Sequence, residues 1–414
     1  MHRLRTDAAG AAAAAARVRA MVPAGGSVAG AVAEIVAAVA EGGDAALLDH
    51  ERRFGGGAEP LRVDADELAA ALDGLDAGVR TGLEVAVANV GRVATAGLAA
   101  DVDVALAEGQ HVRLRELPVR RAAVYAPGGR TPYPSSVVMG AVTARAAGVA
   151  EVVVAAPGHP LILAACALCE ADEVYRMGGA QAIAALAYGT ESVAPVDVIV
   201  GPGNLYVQEA KRQVSDRVGI DGFAGPSDLV AIATAGADPH LVALDLLAQA
   251  EHGDDSLVVA VSDDEALLDA IAGELAAGRP TVADGPKVAV AAADAEAALA
   301  FAEALAPEHL ELVGEAAEAL APRVTRAGCL FVGAASATAF GDYVAGSNHT
   351  LPTGGAARFA SGLSARHFRR RMSEVRIGPA AAALAHAGVP IAEADGFAVH
   401  AESMRARIRD NPPR

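Results

Sequence analysis

Between residues 119 and 214 the chain alternates short apolar runs with longer stretches whose apolar positions recur at helical intervals. Residues 119–125, 151–155, 173–177 and 196–200 are short segments rich in Val and Ala, with charged residues at Arg120, Arg121, Glu151, Glu173, Arg176 and Asp197. Such runs predict strands buried on both faces. Residues 135–147, 161–170 and 180–188 predict helices, and a fourth helix runs to Val214. Strand, turn, helix, repeated with glycine in most of the turns, predicts a parallel sheet with crossover helices. Ligands of such sheets are expected beyond the C-terminal ends of the strands, where these glycine turns lie.

The same alternation resumes downstream. Residues 229–234, 256–261, 287–291, 310–313 and 329–332 predict strands, and 239–251, 265–277 and 294–306 predict helices. Before the first sheet, Val28, Ala31, Ile35, Val36, Val39 and Leu47 trace a helix over 27–53, with a break and a new cap at Gly42-Gly43-Asp44. Residues 64–94 predict a further helix. Residues 341–364, rich in Gly, Asn, Pro and Ser, predict a structured loop. Residues 365–414 are expected to be helical and polar, with little apolar content for a core of their own, as suits a tail that packs on a partner subunit.

Composition narrows the partners. The chain has 414 residues, of which 53% are hydrophobic and 3% aromatic, so it is expected to be globular, with room for more than one domain. A formal net charge of −18 argues against nucleic acid and anionic membrane. Cys166, Cys169 and Cys329 do not form a disulfide framework. Cys166 and Cys169 continue an apolar helical run and read as buried small residues. No run approaches a membrane span. Ala11 to Ala16 is too weakly hydrophobic for a signal peptide and is followed by Arg17 and Arg19; a helix of small residues and a cytoplasmic location are expected.

Candidate chemistry lies in four places. Gln249 and His252 close the helix that Asp238-Pro239 opens, and share one face. Glu308-His309 follows Pro307, which suggests a helix start or a loop from which two neighbours reach one ligand. Asp342 and His349 sit in the glycine-rich segment, and His400 stands alone near the C-terminus. Gln, His and Asp offer oxygen and imidazole donors suited to zinc. An adjacent Glu and His offer a base and a proton carrier. Taken singly, each signal also fits a polar surface face. Gly201-Pro202-Gly203-Asn204 follows a strand and opens a helix, so its amides can face an anion. It lacks the third glycine of the dinucleotide fingerprint, because Tyr206 stands there.

Jointly these segments closely resemble the histidinol dehydrogenase family. The resemblance runs from about residue 28 to 405. Its most specific stretches are Tyr125-Ala126-Pro127-Gly128-Gly129, Gly178-Gly179-Ala180-Gln181, Gly201-Pro202-Gly203-Asn204, Ala224-Gly225-Pro226-Ser227, Gln249-Ala250-Glu251-His252, Ala306-Pro307-Glu308-His309 and Asn348-His349-Thr350-Leu351-Pro352. It implies an α/β fold of two Rossmann-like parallel-sheet domains, with aldehyde-dehydrogenase-like architecture and a helical C-terminal dimerisation tail. The first domain would comprise 1–124 with 228–375 and carry most of the zinc and catalytic residues. The second, NAD-binding domain would comprise 125–227, and 376–414 the tail.

The implied activity is zinc-dependent oxidation of L-histidinol to L-histidine through L-histidinaldehyde, with two NAD+, in a homodimer. Carried over by position, Gln249, His252, Asp342 and His400 would hold zinc, with His400 lent by the other subunit. Glu308 and His309 would be the proton acceptors. Tyr125, Gln181 and Asn204 would contact NAD. Ser227, His309, His349 and Asp395 would contact substrate, together with the zinc ligands. Asp395 stands where the family usually has Glu, which leaves open a paralogue acting on another polar alcohol or diol. The segment at 155–160 is shorter than the family's usual loop.

Overall fold

In the computed structural model, residues 1–22, 26–54, 60–128, 132–222, 225–277 and 283–409 are described. Gly129, Ala224 and the stretch past 409, which enter the readings above, lie outside the described residues. The chain opens with β1 (His2–Thr6), α1 (Ala11–Arg19), α2 (Ala29–Phe54), α3 (Ala65–Asp73) and α4 (Ala77–Ala96), then β2 (Val102–Ala105) and β3 (His111–Pro118). Next come β4 (Arg121–Tyr125), α5 (Pro134–Ala146), β5 (Glu151–Ala155), α6 (Pro160–Leu168), β6 (Glu173–Tyr175), α7 (Gly179–Tyr188), β7 (Val198–Val200), α8 (Leu205–Gln213) and β8 (Gly219–Ile220). A second alternation follows: β9 (Asp228–Ala233), α9 (Pro239–Ala250), β10 (Leu257–Ser262), α10 (Glu265–Ala277), β11 (Lys287–Ala292), α11 (Ala295–Leu305), β12 (His309–Val313), α12 (Glu315–Glu318), β13 (Cys329–Val332) and α13 (Thr338–Tyr343). The chain closes with β14 (Arg369–Arg376), α14 (Ala381–Ala394) and α15 (Ala398–Arg409).

The described residues divide into two compact units, 1–97 with 119–368, and 98–118 with residues from 369 on. The larger unit holds two parallel sheets. One has six strands in the order β1-β11-β10-β9-β12-β13, and the other has five in the order β6-β5-β4-β7-β8. In the six-stranded sheet Val230 and Ile232 of β9 join Val18, Phe301 and other residues of α1 and α11 in one core. Leu229, Ala231 and Ala233 of the same strand face α9 and α10 in another. That alternation within an unbroken apolar run is why both faces can be covered. In the five-stranded sheet, α7, α8 and the stripe Val32, Ile35, Val36, Val39 and Leu47 of α2 build the core over one face.

The four strand–helix repeats from β4 to α8 match the sequence pattern. So does the break in α2, where Gly43 has φ 55°; a Cβ there would meet the Glu191 carboxylate at 2.3 Å. The stretch read as a helix over 64–94 is two helices, α3 and α4, because Asp76 caps a new start by accepting from the amides of Gly78 and Val79. Five strands went unread: β1, β2, β3, β8 and β14. β1 is an edge strand whose outward residues are Arg and His. β3 pairs antiparallel with both β2 and β14 in the smaller unit. The expectation that 365–414 is helical is therefore wrong over Arg369–Arg376: these residues form β14, exposed enough that Arg and Glu dominate it. The smaller unit also holds the α14–α15 hairpin, whose core is little more than Ala385, Val389 and Ala401. No helix among the described residues is long and apolar enough to cross a membrane.

Candidate active site

The chemistry-bearing side chains of the larger unit gather at the N-terminal end of the six-stranded sheet. This is the opposite end from the one at which the glycine turns of the five-stranded sheet lie. Helix α9 runs back along the sheet, so its last turn returns Gln249 and His252 to the edge where β9 and β12 begin. Asp228 opens β9 and His309 opens β12, the two strands pairing in parallel with His309 opposite Leu229. His309 thus opens a strand and Glu308 ends the loop that leads into it, so of the two expected settings the loop holds for Glu308 and the helix start for neither. Asp342 lies in the last turn of α13 rather than in a loop, and His349 follows in the turns beyond it.

Glu308 is fixed by two reciprocal bonds: its carboxylate accepts from the Asp228 amide at 3.1 Å, and its own amide donates to Asp228 Oδ1 at 2.7 Å. The Ser227 hydroxyl also donates to it. Asp228 Oδ2 in turn accepts from Arg19 at 2.5 Å, and Arg19 also donates to the Leu305 carbonyl at 2.8 Å. Arg19, at the end of α1, is a supporting residue that sequence reasoning missed. Burial, with the charges of Asp228 and Asp342, raises the Glu308 carboxyl well above the usual carboxylate range.

His309 places Nδ1 3.7 Å from Glu308 and Nε2 3.9 Å from Asp342. Its ring lies against Phe331, centroids 5.9 Å apart, and its Nδ1 is buried without a hydrogen-bond partner. Burial lowers its pKa against the pull of Asp342, so the imidazole is neutral at pH 7. His349 is lowered by burial likewise; its Nδ1 lies 3.0 Å from the Asp342 carbonyl, and its Nε2 3.4 Å from the Ser136 hydroxyl.

Could these residues hold a metal? Gln249 is buried, and its amide nitrogen has no hydrogen-bond partner. His252 Nδ1 lies 3.1 Å from the Gln249 carbonyl, which leaves Nε2 available. His252 and Asp342 both act electrostatically on His309 and on His349, so the four converge. Among the described residues no three His, Cys, Asp or Glu side chains gather to hold an ion. A set of one Gln, one His and one Asp is compatible with that finding, since it holds only two such side chains beside the Gln249 amide. His400 is exposed on α15 in the smaller unit, with its ring 5.1 Å from that of Phe397. Asp395 is the exposed C-cap residue of α14.

The residues expected to contact a dinucleotide lie at the C-terminal end of the five-stranded sheet. Tyr125 ends β4, and its hydroxyl accepts from the Gly179 amide at 3.1 Å. Gln181 is buried in the first turn of α7. Asn204 caps α8, its side-chain oxygen accepting from the amides of Tyr206 and Val207 at 3.0 and 3.2 Å. Gly201, at φ +116°, presses on Tyr125: a Cβ would meet the Tyr125 carbonyl oxygen at 2.1 Å. Asp221 accepts from the Gly201 amide at 2.6 Å, and Lys211, paired with Asp221, donates to the Gly201 carbonyl at 3.0 Å. The structure thus joins Tyr125, Gln181 and the glycine turns in one framework. It also adds Glu51, another residue missed, whose carboxylate bonds Gln181.

Residues 22–408 match the family model described as histidinol dehydrogenase. The chain is 40% identical over 413 residues to the histidinol dehydrogenase of Gluconobacter oxydans, covering 93% of this chain and 94% of that one. It is 43% identical over 399 residues to that of Parasynechococcus marenigrum, covering 92% and 91%. In three dimensions it is similar to the crystal structure of histidinol dehydrogenase from Elizabethkingia anophelis, with a TM-score of 0.91, 28% identity, and 99% and 98% of the two chains covered.

Proposed function

The chain belongs to the histidinol dehydrogenase family, and from that premise we propose that it oxidises L-histidinol to L-histidine through L-histidinaldehyde, with two NAD+ and one zinc ion per subunit. The observation that carries this reading is the burial of an adjacent carboxyl and imidazole, Glu308 and His309, against Asp342.

In this reading His309 takes the alcohol proton as the first hydride leaves. Burial keeps its imidazole neutral, which is the form that accepts a proton. Glu308, once ionised, takes a proton from the water that adds to the aldehyde; its raised proton affinity suits that step. His309 accepts again as the second hydride leaves the hydrated aldehyde. One water is consumed and two hydrides depart, and a buried site holds the reactive aldehyde between the steps. Zinc would be held by Gln249, His252 and Asp342, with His400 of the partner subunit as the further donor. Bound there, it would grip the amine and imidazole nitrogens of the substrate and fix the carbinol carbon for transfer.

Ser227, His309, His349 and Asp395 belong to the substrate side, and Tyr125, Gln181 and Asn204 to the NAD side. Residues 1–124 with 228–375 carry the metal and the chemistry, 125–227 the dinucleotide, and 376–414 a tail docked on a second copy in a cytoplasmic homodimer. Asp395, a methylene shorter than the family's usual Glu, favours one alternative: the same machinery on another polar alcohol or diol. NADH absorbance with histidinol and with a panel of such alcohols, before and after chelation, tests both. Reduction of NAD+ by another alcohol but not by histidinol would overturn the substrate; oxidation that survives removal of the metal would overturn zinc. Mixing inactive His400→Ala with inactive His252→Ala subunits is expected to restore activity, because one site of each mixed dimer carries neither lesion. Verified mixed dimers without activity would refute the shared site.

A further inference from the structure

Glu51 has no part in the chemistry above, yet it is only 3% exposed. It lies on α2 one turn after Leu47, on the stripe that packs toward the five-stranded sheet. Its Oε1 accepts from the Gly178 amide and from Gln181 Nε2, each at 2.9 Å. Its Oε2 is buried with no hydrogen-bond partner. Both partners of Oε1 are donors, so Glu51 acts as an acceptor and dictates which end of the Gln181 amide turns inward. The other end is placed by a separate contact: a Cβ on Gly179 would meet Gln181 Oε1 at 2.7 Å, so the amide oxygen lies over that glycine.

The two glycine amides at the start of α7 are therefore already used. Gly178 donates to Glu51 and Gly179 to the Tyr125 hydroxyl. In a conventional dinucleotide fold such amides, at a helix start after a parallel strand, receive phosphate. A phosphate brought here would lose those donors and face a desolvated carboxylate, where like charges repel most strongly.

We propose that Glu51 is a positioning and specificity residue of the dinucleotide end: it presents the Gln181 amide oxygen as an acceptor and closes the start of α7 to phosphate, so this turn receives an uncharged, hydrogen-bond-donating part of the cofactor. The inference rests on the NAD reading and refines it.

The test measures NAD+ affinity of the full-length protein by fluorescence titration, with inorganic phosphate as a competitor. Glu51→Ala and Gln181→Ala are each expected to weaken NAD+ about tenfold, the scale of one hydrogen bond. The double variant is expected to bind no worse than either single one by more than about twofold, because Gln181 acts only when oriented. Phosphate is expected to compete with NAD+ in Glu51→Ala and not in the parent protein. Should Glu51→Ala fail to fold, Glu51→Gln keeps the shape but can turn either end to Gln181, and is expected to weaken NAD+ several-fold. Additive losses in the double variant, undiminished affinity in Glu51→Gln, or equal phosphate competition with and without Glu51 would overturn the proposal. A parent protein that does not bind NAD+ refutes the cofactor reading itself, and that is seen before any variant is made.

Discussion

The two parallel sheets of the larger unit put opposite ends to use. At the six-stranded sheet the side chains crowd the strand starts, where α9 returns its C-terminal turn. At the five-stranded sheet they line the strand ends, where α7 and α8 begin. Helix C-termini carry partial negative charge and suit cations; helix N-termini carry partial positive charge and suit acceptors and anions. Gln249, His252 and Asp342 therefore stand in a field that favours a metal. The turns at Gly178 and Gly201 lie at the other end, where the amides of Gly178, Gly179 and Gly201 are already held by Glu51, Tyr125 and Asp221. The burial pattern divides the same way. Each end buries atoms without partners, Gln249 Nε2 and His309 Nδ1 at the first and Glu51 Oε2 at the second, but at the first these are groups of the candidate metal and proton-transfer residues themselves. The second satisfies its amides internally, through Glu51, Tyr125, Asn204 and Asp221. One end is poised for chemistry and the other for binding.

The sharpest way to break this division is to replace the base proposed at the first end. His309→Asn is expected to lower kcat by about 10²–10⁴, the usual worth of a general base, with little change in NAD+ affinity. Comparable losses in kcat and in NAD+ affinity would mean that the two ends are not separate. Glu308→Gln is expected to slow the aldehyde-to-acid half by about a hundredfold and the alcohol half much less, because only the former needs water. Single-turnover measurements starting from histidinol and from histidinaldehyde distinguish them; equal slowing contradicts the assignment.

A third variant moves to the other end. Gly201→Ala would push a Cβ into the Tyr125 carbonyl from a backbone at φ +116°. A loss of about 2–4 kcal/mol of stability is expected from strain and overpacking together, with a raised KM for NAD+ and preserved single-turnover chemistry. Denaturant titration and steady-state kinetics check both; an unchanged KM would detach this turn from the cofactor.

The five-stranded end was the more legible in the sequence. Its strands β4 to β7 are short, largely apolar runs and most of its turns hold glycine, so pattern and chemistry coincide. The six-stranded end was legible as residues but not as a place. Glu308-His309, Gln249, His252 and Asp342 stood out by type, but nothing in their spacing told which end of the sheet they share, because α9 and β12 deliver them to strand starts from distant parts of the chain. Strands β3 and β14 escaped because their exposed faces carry Arg and Glu, which erases the apolar signal while leaving the pairing intact. Glu51 did leave a trace: an acidic residue one turn after Leu47, on the buried stripe of α2. Arg19 left none, since the last turn of a helix is an ordinary place for Arg.

The smallest effect asks how far charge burial extends behind the six-stranded end. Glu311 follows His309 by two residues on β12, on the same side of the sheet, and Asp245 precedes Gln249 by one turn of α9. Burial, reinforced by Asp245, pushes the Glu311 carboxyl up from 4.5 to about 9. The folded chain thus keeps a proton there that the unfolded chain releases near pH 4.5. The stability this group contributes is fully present below that pH and is lost as pH rises toward about 9, by at most about 1.4 kcal/mol per pH unit. Glu311→Gln has no such proton to lose, and its amide can donate to Asp245 in the proton's place. Denaturation midpoints between about pH 5.5 and 8.5 are therefore expected to fall less steeply in the variant than in the parent. His309 and His349 titrate in both proteins, so the difference between the two curves isolates Glu311. Parallel curves would show that Asp245 and Glu311 share no proton, and that burial of charge at this end stops at the site itself.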